Sequence, residues 1–244
     1  MVLSSISRMN LHNHSIFSDG SYEVATIIKT AEQDCSLDIV GICDHYRTQK
    51  VWEHSLDPQR ILPYLEHIRQ IDRISKSPIR VLIGMEIDFS PRTADIDSLP
   101  TQILNKLDFI LFEYVNSQHW GGFSHKKLLD IREHFDIPVG IAHCDFRRDL
   151  WMGETDTKVL YEIAEADIFL ELSPGSRNRE LTPSGPQPYY RQIIDLFIEI
   201  REKDIPLRFS IGTDMHSDLS EVCATTDAEK FLEEYQLLNH LISL

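Results

Sequence analysis

Apolar residues recur along the chain with two alternating periods. Seven short runs rich in Val, Ile, Leu and Phe have the length and content of buried strands: "MNLHNH", "LDIVGICDH", "VLIGMEIDF", "LDFILFEYV", "IPVGIAH", "DIFLELS" and "LRFSIGTD". Most segments between them place apolar residues three and four positions apart, the spacing of an amphipathic helix. Ile27, Ile28 and Ala31 follow the first run, and Ile61, Leu65, Ile68 and Ile71 follow the second. Leu128, Leu129 and Ile131 precede the fifth, Val159, Leu160 and Ile163 the sixth, and Ile193, Ile194, Phe197 and Ile200 the seventh. The connection between the third and fourth runs is short and weakly patterned, which predicts a loop with one turn. A terminal helix around Phe231, Tyr235 and Leu238 is expected to cover the last strand.

Near-continuous apolar strands alternating with amphipathic helices are what a parallel sheet covered by helices requires. Seven βα units predict an α/β fold of TIM-like type, a closed or nearly closed barrel. The 244 residues suffice for one large core, and neither a repeat nor a Pro-, Gly- or Ser-rich linker divides them, so residues 1–244 are expected to form a single domain. Pro183, Pro186 and Pro188 cluster in one segment, expected to be a rigid loop close to the site.

Polar residues gather where the apolar runs end. His12 and His14, with Asp19 nearby, follow the first run; Asp44 and His45 close the second, and Glu86 and Asp88 the third. His119 follows the fourth, His143 and Asp145 the fifth, and Asp214 and His216 the seventh. In a parallel barrel the carboxyl ends of all strands meet at one face, so these groups converge there. One His-x-His is as readily a solvated strand end as a ligand pair. Six of the eleven histidines at the same phase of a βα repeat favour a multinuclear metal centre. Imidazole and carboxylate without thiolate suit two or three divalent transition-metal ions, Zn, Mn or Fe, spaced ~3.5–4 Å apart.

A formal charge of −15 argues against a binder of duplex nucleic acid, which needs a basic face. A small anionic substrate would then need local positive charge from metal ions or a few arginines. No apolar run approaches the ~20 residues of a membrane span, and "LDFILFEYV" is broken by Asp108 and Glu113. The N-terminus lacks the order of a signal peptide, so a cytoplasmic location is expected. Cys35, Cys43, Cys144 and Cys223 are widely spaced, form no C-x-x-C pair, and are read as reduced.

The order "HNHSIFSDG", "CDH", "GMEIDF", "SQHW", "AHCDF" and "GTDMHS" resembles the PHP family, named for its polymerase-associated and histidinol-phosphatase members. The match spans residues 10 to 217. Within the family the chain is similar to histidinol-phosphatase-like members in "GMEIDF", in H-x-D at His143 and Asp145, and in "LELSPGSRNRE". The resemblance implies a distorted (βα)7 barrel with a trinuclear site at the carboxyl ends of the strands. It further implies that His12, His14, Glu86 and Asp214 hold one ion, that Glu86 bridges to a second held with His119 and His143, and that Asp19, His45 and His216 hold the third. The chain departs from the pattern at Asp19, since many relatives place a histidine one residue later, where Gly20 stands.

Other polar groups have several readings. Asp44 could orient His45 or cap the next helix. Asp145 could hydrogen-bond a ligating imidazole, protonate a leaving group, or hold its loop; with Glu86 it is the candidate catalytic carboxylate. Arg147 and Arg148 read as surface or ion-paired, and His54, His67, His125, His134 and His240 as solvated or structural. Of the last group His125, with Trp120, is best placed to touch substrate. The sixth run ends at Ser173 and continues as "PGSRNRELTPSGP", where Arg177 and Arg179 could grip a phosphate bidentately or simply be solvated. In histidinol-phosphatase-like relatives this region is implicated in phosphate recognition.

The expected activity is metal-dependent hydrolysis of a small phosphate monoester by metal-activated water, with histidinol phosphate the most specific substrate expectation. Two alternatives stand beside it. One is an amidohydrolase-like metal hydrolase, which also begins with His-x-His on a barrel. The other is a non-catalytic metal-binding regulatory module.

Overall fold

In a computed structural model, which describes residues 7–51, 55–91, 96–150 and 157–244, the seven predicted runs form one parallel sheet. Strands β1 (Met9–Asn10), β2 (Ile39–Tyr46), β3 (Arg80–Asp88), β4 (Ile110–Glu113), β5 (Val139–Ile141) and β6 (Ile168–Leu172) lie side by side in chain order. A hairpin, β7 (Arg179–Thr182) with β8 (Gly185–Pro188), precedes the last member, β9 (Arg208–Ile211), which pairs with β6. Leu11 N donates to Ile211 O at 2.8 Å and Asn13 bridges Met215 in parallel, which brings the first and last strands together and nearly closes the barrel. His54 lies outside the described residues, as does the side chain of Arg147.

Helices α1 (Val24–Gln33), α2 (Ile61–Ser75), α3 (Thr101–Leu104), α4 (His125–Arg132), α5 (Thr157–Glu165), α6 (Ile194–Glu202) and α7 (Thr226–Glu234) cover the sheet. Each buries the stripe its sequence announces. In α1, Val24, Ile27, Ile28 and Ala31 are all within 1% of complete burial, so the apolar spacing converts directly into contact with the strands. In α6 the inward residues are Leu196, Phe197 and Ile200, whereas Ile194 is exposed and Ile193 takes its place inside. The connection between β3 and β4 holds a short 3-10 turn, Ile96–Ser98, and the one-turn α3, as the weak pattern there predicts.

Three features differ from the sequence reading. The first run pairs with β2 over two residues only; beyond them Leu11 N donates to Ile211 O and His14 N to Met215 O on the adjacent β9 side, while His12 N donates to Asn10 Oδ1. The proline-containing segment is a hairpin, not an irregular loop. Pro186 and Pro188 sit opposite Leu181 and Arg179, on a two-stranded ribbon outside the barrel sheet where no further ladder needs their missing N–H groups. Cys35, just past α1, is disulfide-bonded to Cys223, which corrects the expectation of four reduced cysteines; Cys43 and Cys144 are free and buried. The pairing is invisible in the sequence because 188 residues separate the partners, and the β1–β9 closure brings them together.

Candidate metal centre

The parallel register sets the inward residues of neighbouring strands side by side. His45 of β2 lies opposite Glu86 of β3, and beyond the strand ends the chain carries His12, His14, His143, Asp214 and His216 to the same mouth. His143 and Asp214 have φ of 26° and 56°, left-handed conformations that non-glycine residues adopt at a cost and that concentrate at functional sites. Two close approaches shape the floor. A Cβ on Gly212 would stand 2.0 Å from Glu171 Oε1, and this space lets the Glu171 carboxylate of β6 reach His12. A Cβ on Gly20 would stand 2.2 Å from His14 O, so no side chain fits at that position, and the neighbouring Asp19 is the residue whose carboxylate joins the cluster.

Three overlapping groups result. His12, His14, Glu86 and Asp214, all buried, have donor atoms within 4.8 Å of one another. The Nε2 atoms of His12 and His14 are 2.9 Å apart, His14 Nε2 is 3.2 Å from Asp214 Oδ1, and both imidazoles are 3.5 Å from Glu86 Oε2. The second group is His14, Asp19, His45 and His216, with Asp19 Oδ1 3.2 Å from His216 Nε2, 3.6 Å from His14 Nδ1 and 3.7 Å from His45 Nε2. The third is His45, Glu86 and Glu113; beside it His143 Nε2 is 2.9 Å from Glu86 Oε1.

The donor chemistry fits cations. Asp19 Oδ1, His45 Nδ1 and Glu86 Oε2 are buried without a well-aligned hydrogen bond. His45 Nδ1 and Glu86 Oε2 face each other at 3.0 Å and Asp19 Oδ1 faces His216 Nε2 at 3.2 Å, so lone pairs crowd together in a way that a cation between them would relieve. Two of the imidazoles are also held with Nδ1 engaged outside the cluster, the arrangement that ligation through Nε2 needs. His12 Nδ1 is 3.0 Å from Glu171 Oε2, and His216 Nδ1 donates to Asp214 O at 2.7 Å, so in both rings Nε2 is left to point into the cluster. Burial and the neighbouring His45 and His216 rings push His14 down to about 3, leaving it an unprotonated donor. Against the effect of burial, His14 and His143 hold Asp214 well below the usual carboxylate range, and His12 and His45 do the same for Glu86.

Several predicted residues stand elsewhere. His119 is exposed and packs edge-on against Trp120 at 4.9 Å, outside all three groups. After β4 the chain turns through left-handed Tyr114 and Asn116, with Ser117 N bonded to Tyr114 O, and this turn carries His119 away from the mouth. Glu113, the last residue of β4, takes the inward position. His125 is locked between Glu162, 3.1 Å from its Nε2, and Asn116, and does not line the cavity over the metal groups. Asp145 accepts from the Arg148 backbone N–H at 3.1 Å, while Glu171 makes the imidazole contact expected of Asp145. Asp44 neither orients His45 nor caps a helix; it accepts from Ser15 N, Ser15 Oγ and Ser18 Oγ, pinning the segment that carries His14 and Asp19.

Over the groups lies a cavity of about 300 Å³. Lys50, Arg148 and Arg177 bring positive charge to it, and Tyr114, Trp120 and Tyr189 bring flat apolar surface. Arg177 is therefore at the cavity, whereas Arg179 donates to Pro174 O at 2.7 Å and lines a separate cleft with Asp145. Ser173 is buried and acts through a neighbour: its Oγ accepts from Asn178 Nδ2, which also reaches Asp214 Oδ2 at 3.2 Å. Glu113, Glu171, Lys50 and Asn178 were not singled out from the sequence. The available signal was a lone acid inside an apolar strand, in "LFEYV" and "FLELS", since a buried carboxylate requires a partner.

Comparison with known proteins agrees with this architecture. Histidinol phosphate phosphatase from Lactococcus lactis, solved with zinc, L-histidinol and phosphate, superposes with a TM-score of 0.60 at 18% identity, covering 98% of this chain and 96% of that one. A chain from the crystal structures of YwqE from Bacillus subtilis and CpsB from Streptococcus pneumoniae, described as metal-dependent tyrosine phosphatases, gives a TM-score of 0.58 at 16% identity, covering 97% of this chain and 96% of that one. Among curated protein sequences none matches the chain. The model of the PHP domain matches residues 10–205, most of the chain, and the chain belongs to the PHP domain family.

Proposed function

We propose that the chain is a metal-dependent phosphoesterase acting on a small phosphate monoester. The observation that carries this reading is the pair of four-residue donor groups sharing His14, set in the floor of a cavity whose walls carry Lys50, Arg148 and Arg177. Two or three divalent ions, of Zn, Mn or Fe, suit these donors. His12, His14, Glu86 and Asp214 would hold one, and Asp19, His45 and His216 another. When bound, such ions supply Lewis acidity, activating water near neutral pH and neutralising charge on phosphoryl oxygens.

The protein groups do the rest. Glu171 fixes the His12 ring and Asn178 steadies Asp214. Arg177 meets the phosphate, because a planar guanidinium donates to two of its oxygens at once. Tyr114 and Trp120, their rings stacked 5.0 Å apart, and Tyr189 form walls for a flat leaving group. Histidinol phosphate suits that shape and matches the ligands of the Lactococcus lactis relative; an aryl phosphate such as phosphotyrosine suits it as well.

The test is turnover of a panel of phosphomonoesters, including histidinol phosphate and a phosphotyrosine peptide, alongside amides and lactones, with metal content measured on the same preparation. Phosphate release that rises with Mn or Zn and falls with chelator is the expected result. Protein loaded with ions that hydrolyses no phosphomonoester would refute the proposal; turnover of an amide or lactone instead would mark an amidohydrolase.

A further inference from the structure

We propose that the Lys50 ammonium, clamped by Glu113, stands in place of a metal ion on the β3–β4 side of the mouth, so that the chain holds two ions and not three. The inference rests on the metal-dependent reading above. Lys50 Nζ lies 2.6 and 2.5 Å from the two oxygens of Glu113 and 4.5 Å from the centre of the Tyr114 ring. Glu113 is almost fully buried, 1% exposed, so its charge needs a nearby cation, and the ammonium provides it.

The surrounding groups are those an ion would otherwise use. His45 Nδ1 is 3.8 Å from Glu113 Oε1, and His143 Nε2 is 4.0 Å from Glu113 Oε2 and 2.9 Å from Glu86 Oε1. Among the described residues no imidazole from the β4 side completes the set, since His119 has been turned outward. The position of Lys50 is built into the chain: its backbone N–H donates to Thr48 Oγ1 at 3.2 Å, and Thr48 in turn is tied to Asp88 of β3. A lysine cannot be shed like a solvent ion, and its charge repels a divalent cation placed a few ångströms away in a partly dry site. The ammonium lines the cavity and so offers a phosphoryl oxygen the charge that a further ion would have offered.

Metal stoichiometry tests this without any assay of turnover. The full chain, saturated with Mn²⁺ or Zn²⁺ and freed of excess by gel filtration, is expected to carry two ions by elemental analysis, and Lys50→Arg also two. Lys50→Met is expected to carry three, with calorimetry showing the added ion bound on the order of a hundredfold more tightly than any third ion on the wild type. Three ions on the wild-type chain overturn the inference while leaving the metal-dependent reading intact, and this result needs no variant to fold. Two ions on a folded Lys50→Met, with titration curves like those of the wild type, also overturn it. Fewer than two ions on the wild type overturns the metal reading and the inference with it.

Discussion

Glu171→Gln should loosen the ion at His12 and His14 without removing a single metal ligand. The carboxylate is completely buried and uses both oxygens: Oε1 and Oε2 lie 3.1 and 3.0 Å from His12 Nδ1, and Oε2 accepts the backbone N–H of His143 at 2.9 Å. Glutamine keeps the shape, which matters because Gly212 leaves no spare room beside it. Its amide oxygen can satisfy one of the two donors. The NH₂ then faces the other, either the imidazole N–H or the His143 amide. The imidazole can escape this clash by moving its proton to Nε2, and in that tautomer its lone pair no longer points at the ion.

The loss is that of a charge-assisted hydrogen bond, ~1.5–3 kcal/mol, equivalent to roughly tenfold to hundredfold. Outer-shell substitutions at metal-bound histidines weaken metal affinity by about the same factor. The dissociation constant of the ion at His12 and His14, measured by competition with a chromophoric chelator, should therefore rise tenfold to hundredfold. Activity should fall at low metal and recover when metal is added in excess. An unchanged metal affinity in a folded Glu171→Gln protein would show that Glu171 serves packing alone and that the His12 tautomer is set by something else.

Further outcomes follow from the same geometry. Arg177→Ala should lower kcat/KM on the best phosphomonoester by about tenfold to hundredfold with metal content unchanged, and Arg179→Ala by less; equal kinetics in wild type and both variants would leave phosphate recognition to the metals. Asp19→Ala should cost one ion of the set and most of the activity, and unchanged elemental analysis would return Asp19 to a turn residue beside Gly20. Away from the site, Arg191 and Tyr190 donate to Asp227 and, against partial burial, hold its carboxyl below the usual range. A depressed folded pKa stabilises above the unfolded value of about 4 and is lost as pH falls through the folded one. Because the carboxylate is 41% exposed, Asp227→Asn should cost only about 1 kcal/mol, roughly 2–4 °C in Tm near pH 7. That gap should close in acid, and a gap that persists at pH 2 would contradict the ionic origin.

The barrel was legible because its strands are buried on both faces, so each reads as an unbroken apolar run, and because each helix shows one stripe. The convergence of candidate donors was legible where the repeat sets their phase: His12, His14, His45, Glu86, Asp214 and His216 all lie where strand ends converge, and the structure brings them into groups whose donor atoms lie within 4.8 Å of one another. The misreadings have local causes. "SQHW" has the order of a ligand motif, but two left-handed residues upstream decide where His119 points, and their conformation leaves no mark in the apolar pattern. Of the two arginines, Arg177 lines the cavity and Arg179 does not, because hairpin pairing begins at Arg179 and its side chain is tied to Pro174. The Cys35–Cys223 bond depends on barrel closure, which no local window contains.

Glu113 and Glu171 were the harder omission, and they bear most on what the site can do. Each is a single acid inside an apolar run, on β4 and β6, and neither belongs to a motif of paired histidines. Glu171 spends its charge on the proton of His12 and so frees Nε2; Glu113 spends its charge on Lys50 and so fixes an ammonium beside Glu86. Both carboxylates are buried, so each must have a positive or proton-donating partner whether or not ions are bound. The metal-ligand residue types therefore set an upper bound on the number of ions, and on the two-ion proposal the Glu113–Lys50 pair lowers that number while Glu171 keeps Nε2 of His12 available. A chain with the same histidines but with Glu113 and Lys50 both replaced by apolar residues would lose that fixed charge, and its site would present a different demand for cations to the same substrate.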